Sequence, residues 1–287
     1  MYDLFLAPFE FAFMQRALVG CITLTIGAAP IGLFLMLRRM SLTGDAMAHA
    51  LLPGVALGYL VAGLSLPAMS IGGMLAGLVV ALLSGLVART TAQREDASMA
   101  AFYLISLATG VAIISIQGSS VDLLHVLFGA VLAMDDAALV LTGAVATITT
   151  LTLAVIFRGL VAECVDPTFL RTVSRAGSWI HFVFLALVVL NLVVGFQALG
   201  TLMVVGIMIL PGAAARFWVA SISPMIALAT VFGMVASAAG LLLSFHLDAP
   251  SGPMIILSAG CIYIISLFAG PVDGYLRHIW PRRHLHA

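Results

Sequence analysis

The chain alternates long apolar blocks with short polar breaks, and the length of the blocks is their most informative property. A helix needs about 20 largely apolar residues to cross a hydrocarbon core of ~30 Å. Blocks of that kind fall at roughly 15–37, 46–65, 67–88, 101–118, 137–158, 178–198, 199–217, 223–246 and 253–270. A further stretch, Ser120 to Met134, is apolar but short and carries Asp122 and His125, so it reads as a re-entrant or interfacial helix rather than a crossing. The pattern predicts an all-α fold, a polytopic membrane helix bundle of about nine transmembrane helices within a range of eight to ten. Residues 1–287 are expected to form a single transmembrane domain.

Composition supports lipid as the solvent. Hydrophobic residues make up 63% of the 287 positions and charged residues 8%, where a soluble domain carries roughly a quarter charged. A globule of this size could not keep so much apolar surface from water. The net charge is zero, from 12 basic and 12 acidic residues, which argues against a nucleic-acid partner. Cys21, Cys164 and Cys261 are too few and too scattered for a disulfide framework or a cysteine metal cluster. Met1 to Gln15 has no basic flank ahead of its apolar stretch, so the first block is expected to be a retained span rather than a cleaved signal.

All twelve basic residues are arginines, and their placement sets an orientation. Arg38 and Arg39 follow the first block, Arg89 and Arg94 the third, Arg158, Arg171 and Arg175 the fifth, Arg216 the seventh, and Arg277, Arg282 and Arg283 the last. The intervening loops hold none, so the arginine-bearing ends are expected to be cytoplasmic, with the N-terminus outside and the C-terminus inside. Arg16, ahead of the first block, is the one exception. Small residues recur within the blocks, as in Gly72-Gly73, Ala76-Gly77 and Ala236-Ser237-Ala238-Ala239-Gly240, and favour close helix packing in lipid.

The candidate chemistry begins at Ser41 to Gly54, which leads into the second block. Asp45 and His49 are four apart, so on a helix they share one face with Cβ atoms roughly 5–6 Å apart. An oxygen and an imidazole nitrogen converging in this way form half of a divalent metal site suited to zinc or manganese. At ~1.5 Å per residue, His49 would sit roughly 15 Å beyond Arg39, near the middle of the bilayer. The plainer alternative is that Asp45 caps the second span, pairing with Arg38 or Arg39, while His49 is a satisfied core residue. Spacing alone leaves both open.

A second feature is the cytoplasmic segment at about 159–177. Asp166 as N-cap, Pro167 at the first helical position and Gly177 as stop describe a short helix with Phe169, Leu170 and Val173 as its apolar stripe. Such a helix can dock in a partner's groove or lie on the bundle surface. On the outer side, Asp122, Asp135, Asp136 and Asp248 with His125 and His246 lack nearby basic residues in sequence, and either form an anionic vestibule that gathers cations or are ordinary solvated acids. Pro211-Gly212 interrupts the seventh block, shaping a pore or a packing kink. His278, His284 and His286 make a mildly His-rich tail. No G-x-x-x-x-G-K-[ST] loop, H-E-x-x-H or G-x-S-x-G motif occurs, so the chain is expected to be no enzyme and not to draw on ATP by itself.

In order along the chain, Leu42-Thr43-Gly44-Asp45-Ala46-Met47-Ala48-His49-Ala50 with Pro53-Gly54-Val55-Ala56, then Glu95-Asp96-Ala97, Asp166-Pro167 with Gly177, Leu199-Gly200 with Leu210-Pro211-Gly212-Ala213-Ala214-Ala215, and Asp248-Ala249-Pro250-Ser251-Gly252-Pro253 resemble the membrane-spanning permease subunits of the bacterial zinc/manganese/iron importers of the ATP-binding-cassette (ABC) superfamily. The resemblance implies a type II ABC importer permease in the bacterial cytoplasmic (inner) membrane. It also implies a homodimer surrounded by membrane lipid, two copies of an ATP-binding subunit beneath it, and an extracytoplasmic metal-binding protein that delivers the ion. Asp45 and His49 become metal ligands, and aspartate with histidine suits zinc somewhat better than manganese; Asp166, Pro167, Phe169, Leu170 and Gly177 become the ATPase-coupling residues. Asp122, His125 and Asp248 would belong to the outer vestibule. No permanently bound cofactor is expected, the metal being cargo. Leu170 and Arg171 depart from the smaller residues expected in that docking face. A single-chain secondary carrier is the alternative, but such carriers usually show two similar halves, and no convincing internal repeat occurs.

Overall fold

The computed structural model describes residues 7–63, 65–93, 95–116, 131–165, 176–272 and 274–275. Among them there is no strand. The helices are α1 (Ala12–Leu37), α2 (Ser41–Ala50), α3 (Leu52–Ala62), α4 (Leu66–Thr90), α5 (Glu95–Ile116), α6 (Asp136–Val165), α7 (Ala176–Leu199), α8 (Thr201–Arg216), α9 (Ile222–Leu247) and α10 (Ser251–Ala269). Short 3-10 turns at Ala7–Glu10 and Val131–Ala133 precede α1 and α6. Among the described residues, eight helical segments are long and apolar enough to cross a membrane, with α2 and α3 counting together as Ser41–Ala62. The ninth predicted span is α8, whose 16 residues cover only ~24 Å. It lies packed against α1, α9 and α10.

Three predicted boundaries move by five residues or more, one of them the fourth span, whose helix starts at Glu95 rather than near 101. The second span begins at Ser41 rather than near 46, which puts Asp45 inside the helix, with Met40 at the N-cap. The fifth runs to Val165 rather than 158, so residues 159–165 of the 159–177 segment belong to the last turns of α6. The apolar blocks ended at the first charge, Arg158, but this arginine is exposed and the helix continues past it.

The core is centred on α1, which packs against α6, α8 and α9 and also touches α7. Its buried face runs from Met14 through Leu24, Ile31 and Phe34, and Phe34 stands edge-on to Phe157 and Phe184. Because lipid is as apolar as leucine, association here depends on close packing and interhelical hydrogen bonds. The small residues serve the first. A methyl group added at Gly54 of α3 would lie 2.0 Å from the carbonyl oxygen of Gly72 in α4, and one at Gly240 of α9 would lie 2.3 Å from Cα of Ile255 in α10. Asn191 serves the second, its buried amide donating to Thr149 Oγ1 of α6 at 2.7 Å. Gly200, the single residue between α7 and α8, has φ 89° and ψ 157°, a conformation open essentially to glycine alone.

Prolines interrupt two helices that nevertheless continue: Pro211 in α8, as expected, and Pro30 in α1. Arg16, the exception to the arginine pattern, meets Asp136 across the bundle at 3.0 Å. Asp136 is therefore not the partnerless outer acid that sequence spacing suggested.

Candidate functional site

Helix α2 carries the candidate ligands. Thr43, Gly44, Ala46, Met47, Ala48 and Ala50 are buried against the bundle, whereas Leu42 and Asp45 are exposed and His49 is partly so. Leu42, Asp45 and His49 recur at three- and four-residue intervals, so the helix presents them on one stripe. His49 Nε2 stands 3.8 Å from Asp45 Oδ1. Two ligands each ~2.1 Å from a tetrahedral ion would be about 3.4 Å apart, so a small side-chain adjustment suffices for both to bind one metal. No group of three His, Cys, Asp or Glu side chains that could hold a metal occurs among the described residues. The pair offers two donor atoms on an exposed stripe and no third such side chain beside them among the described residues.

The capping alternative for Asp45 does not hold, because its carboxylate lies one turn inside α2. Neither does the expected pairing with Arg38, whose guanidinium reaches Glu163 instead, at 2.8 Å. Asp45 borders a cavity of about 290 Å³ shared with Arg39, Thr43, Asp96 and Tyr103.

The ladder of hydrogen bonds breaks just beyond His49. Leu51 keeps a right-handed helical conformation, but α3 begins anew at Leu52 with Pro53 in its first turn. Proline has no N–H to offer the carbonyl four residues back, and its ring crowds that carbonyl. The interrupted backbone is partly satisfied from α5, where Ser106 Oγ donates to the buried carbonyl of Ala50 at 2.8 Å. A hydroxyl on a neighbouring helix is what lets a proline break persist in lipid.

The other predicted residues divide. Asp166, Pro167, Phe169, Leu170, Asp122 and His125 lie outside the described residues. Gly177 is buried within α7, and the helix it was expected to end lies outside the described residues. Asp248 is exposed, ends α9 in a left-handed conformation with φ 48°, and is followed by a turn in which Ser244 Oγ donates to the carbonyl of Ala249. It is not brought together with Asp45 and His49, which lie in a different helix and on a different stretch of the bundle.

Sequence reasoning missed one cluster. Arg38 at the end of α1, Glu163 near the end of α6 and His181 near the start of α7 meet inside the bundle. Arg38 Nη2 donates to both Glu163 Oε1 and His181 Nδ1, and its guanidinium lies over the Phe184 ring, 5.1 Å from the centroid. An available signal was that three ionisable residues stand at the same end of apolar blocks one, five and six.

The sequence model of the ABC 3 transport family matches residues 10–270. A manganese import system permease, ScaB of Streptococcus gordonii, is 31% identical over 93% of this chain and 95% of its own length. YfeD of Yersinia pestis, a chelated iron transport system membrane protein, is 30% identical over 93% of this chain and 89% of its own. Among solved structures, PsaBC from Streptococcus pneumoniae in complex with Fab superposes with a TM-score of 0.84 at 32% identity, over 97% of this chain and 100% of that one. With its all-helical bundle and its run of membrane-spanning segments, the chain belongs to the ABC 3 transport family and is a multi-pass membrane permease.

Proposed function

We propose that this chain is the permease subunit of an ATP-driven importer for a divalent transition metal, with manganese the first candidate, iron the second and zinc the third. The single observation that carries the reading is the Asp45–His49 pair, held 3.8 Å apart on the open stripe of an otherwise buried helix. Oxygen and imidazole donors without thiolate suit manganese and iron as well as zinc. The relatives are named for manganese and for chelated iron, which moves the order away from the zinc that sequence chemistry favoured.

The same stripe continues along α3 as exposed Leu57, Leu60 and Val61. This surface fits a second copy of the chain related by a two-fold axis, so that two Asp45–His49 pairs together complete four ligands. A binding protein would deliver the ion at the end bearing Asp136 and Asp248. Two ATPase subunits would engage the opposite end through residues 166–177, rocking the dimer between outward- and inward-open states. The permease contributes no nucleotide chemistry of its own.

Elemental analysis tests the reading. Cells lacking their own manganese, iron and zinc importers would express the chain with its ATPase and binding protein, alongside a variant carrying Asp45→Ala and His49→Ala at equal membrane abundance. The expected result is accumulation of one metal by the wild type alone. Equal accumulation by both would refute the site, and accumulation by neither would refute the importer.

A further inference from the structure

Among the described residues, Glu163 is the only buried carboxylate and His181 the only buried imidazole. Both meet Arg38, and the side chains of Arg38 and Glu163 are only 8% and 4% exposed. His181 Nδ1 lies 3.5 Å from Glu163 Oε1, so a single guanidinium nitrogen, one carboxylate oxygen and one ring nitrogen share a small space. A guanidinium can only donate, so in its hydrogen bond with Arg38 the ring nitrogen His181 Nδ1 is the acceptor. Arg38 Nη1 and Glu163 Oε2 have no partner among the described residues.

The positions of these three groups in the chain are more informative than the contacts. Arg38 is the C-cap of α1, followed by Arg39 with φ 60° and then, after Met40, by α2. Glu163 lies in α6 two residues before Val165, and His181 lies in α7 five residues after Ala176. One ionic cluster therefore ties both shoulders of the 166–175 connection to the corner from which the metal-bearing helix starts. Buried ion pairs are poor stabilisers, since apolar side chains of similar volume serve as well or better. Their geometry, however, is stiff and discrete, and this suits an element that must transmit a displacement.

We propose that Arg38, Glu163 and His181 are positioning residues that couple the ATPase-facing end of the permease to α2, so that movement of the α6–α7 shoulders shifts Asp45 and His49. This rests on the reading of 166–177 as the ATPase contact and of α2 as the metal helix. Removing the cluster should leave metal binding and ATP hydrolysis in place but disconnect them.

The test uses the complete complex of permease, ATPase and binding protein in proteoliposomes, with ATP hydrolysis and radioactive manganese uptake read in the same vesicles. Two variants are compared with wild type. Glu163→Gln keeps the side-chain shape, and the double variant Arg38→Met with Glu163→Gln leaves no unpaired buried charge. The expected result is hydrolysis within about twofold of wild type but manganese imported per ATP lowered about tenfold, in the double variant as well as the single. Manganese binding to the detergent-solubilised permease should be unchanged in both, which a damaged site would not allow. A double variant that imports as much metal per ATP as wild type would overturn the inference, as would parallel loss of complex assembly, hydrolysis and uptake, since that marks a merely structural cluster. If wild type hydrolyses ATP but imports no manganese, iron or zinc, the functional reading fails instead, an outcome distinct from the variants' behaviour.

Discussion

The contact between α3 and α4 offers the sharpest test of the packing. Gly54 and Gly72 face each other so closely that a methyl group on either would lie 2.0 or 2.1 Å from the other's carbonyl oxygen. Side-chain carbons essentially never approach closer than 3.0 Å, so the two backbones would have to part by about 1 Å to admit Gly54→Ala. The obstacle is backbone rather than a flexible side chain, and Ala76 Cβ at 2.7 Å blocks the sideways escape. Overpacking of this kind costs about 1–3 kcal/mol, which for a domain of this size lowers Tm by roughly 2–10 °C. Gly85, Gly143 and Gly260 provide the internal control, because an added methyl there would meet nothing within 4 Å. At those helical positions Gly→Ala should be neutral or stabilising by roughly 0.5–1 kcal/mol. The assay is thermal unfolding of purified permease followed by fluorescence, with metal uptake measured in parallel. If Gly54→Ala unfolds at the wild-type temperature and transports normally, the two helices are not in backbone contact and the reasoning is wrong.

Other expectations are simpler. Ser106→Ala strips the donor from the buried carbonyl of Ala50 and should destabilise by about 1–3 kcal/mol, visible as faster amide exchange on both sides of Leu51. Asn191→Leu removes the bond to Thr149, and a double-mutant cycle with Thr149→Val should return a coupling of about 0.6–1.7 kcal/mol. Asp136→Asn breaks a pair whose side chains are 47% and 77% exposed; its effect should stay below ~1 kcal/mol and vanish in high salt. Gly200→Ala places a side chain in a conformation that only glycine adopts readily, and should cost about 1–3 kcal/mol in the same unfolding assay.

Much of the fold was legible because lipid enforces a simple rule: backbone polar groups must pair within their own segment, so block length translates directly into helices. The blocks at 67–88, 178–198, 223–246 and 253–270 fall within a few residues of the helices that cover them. Boundaries were misread where a charge fell inside a helix rather than after it, as at Asp45 and Arg158, since a charge ends an apolar block without ending the hydrogen-bond ladder that defines the helix. The Asp45–His49 pair could be found because i,i+4 spacing is local. The Arg38–Glu163–His181 cluster joins residues more than a hundred positions apart, and no local periodicity encodes such a meeting. Arg16 was an anomaly in sequence for the same reason, its partner lying 120 positions away.

If the break at Leu51 serves as a hinge, α2 is a short lever. Its ten residues span ~15 Å, so a tilt of about 10° about Leu51 would carry the Ser41 end through ~2.6 Å. Asp45, ~9 Å from the fulcrum, would sweep ~1.6 Å, whereas His49, ~3 Å away, would move only ~0.5 Å. Within one rigid rod the imidazole is the hub and the carboxylate the swinging arm. An ion held by both would thus keep its nitrogen ligand nearly still while its oxygen ligand travels, and the arm has its greatest mechanical advantage at the Arg38–Met40 corner.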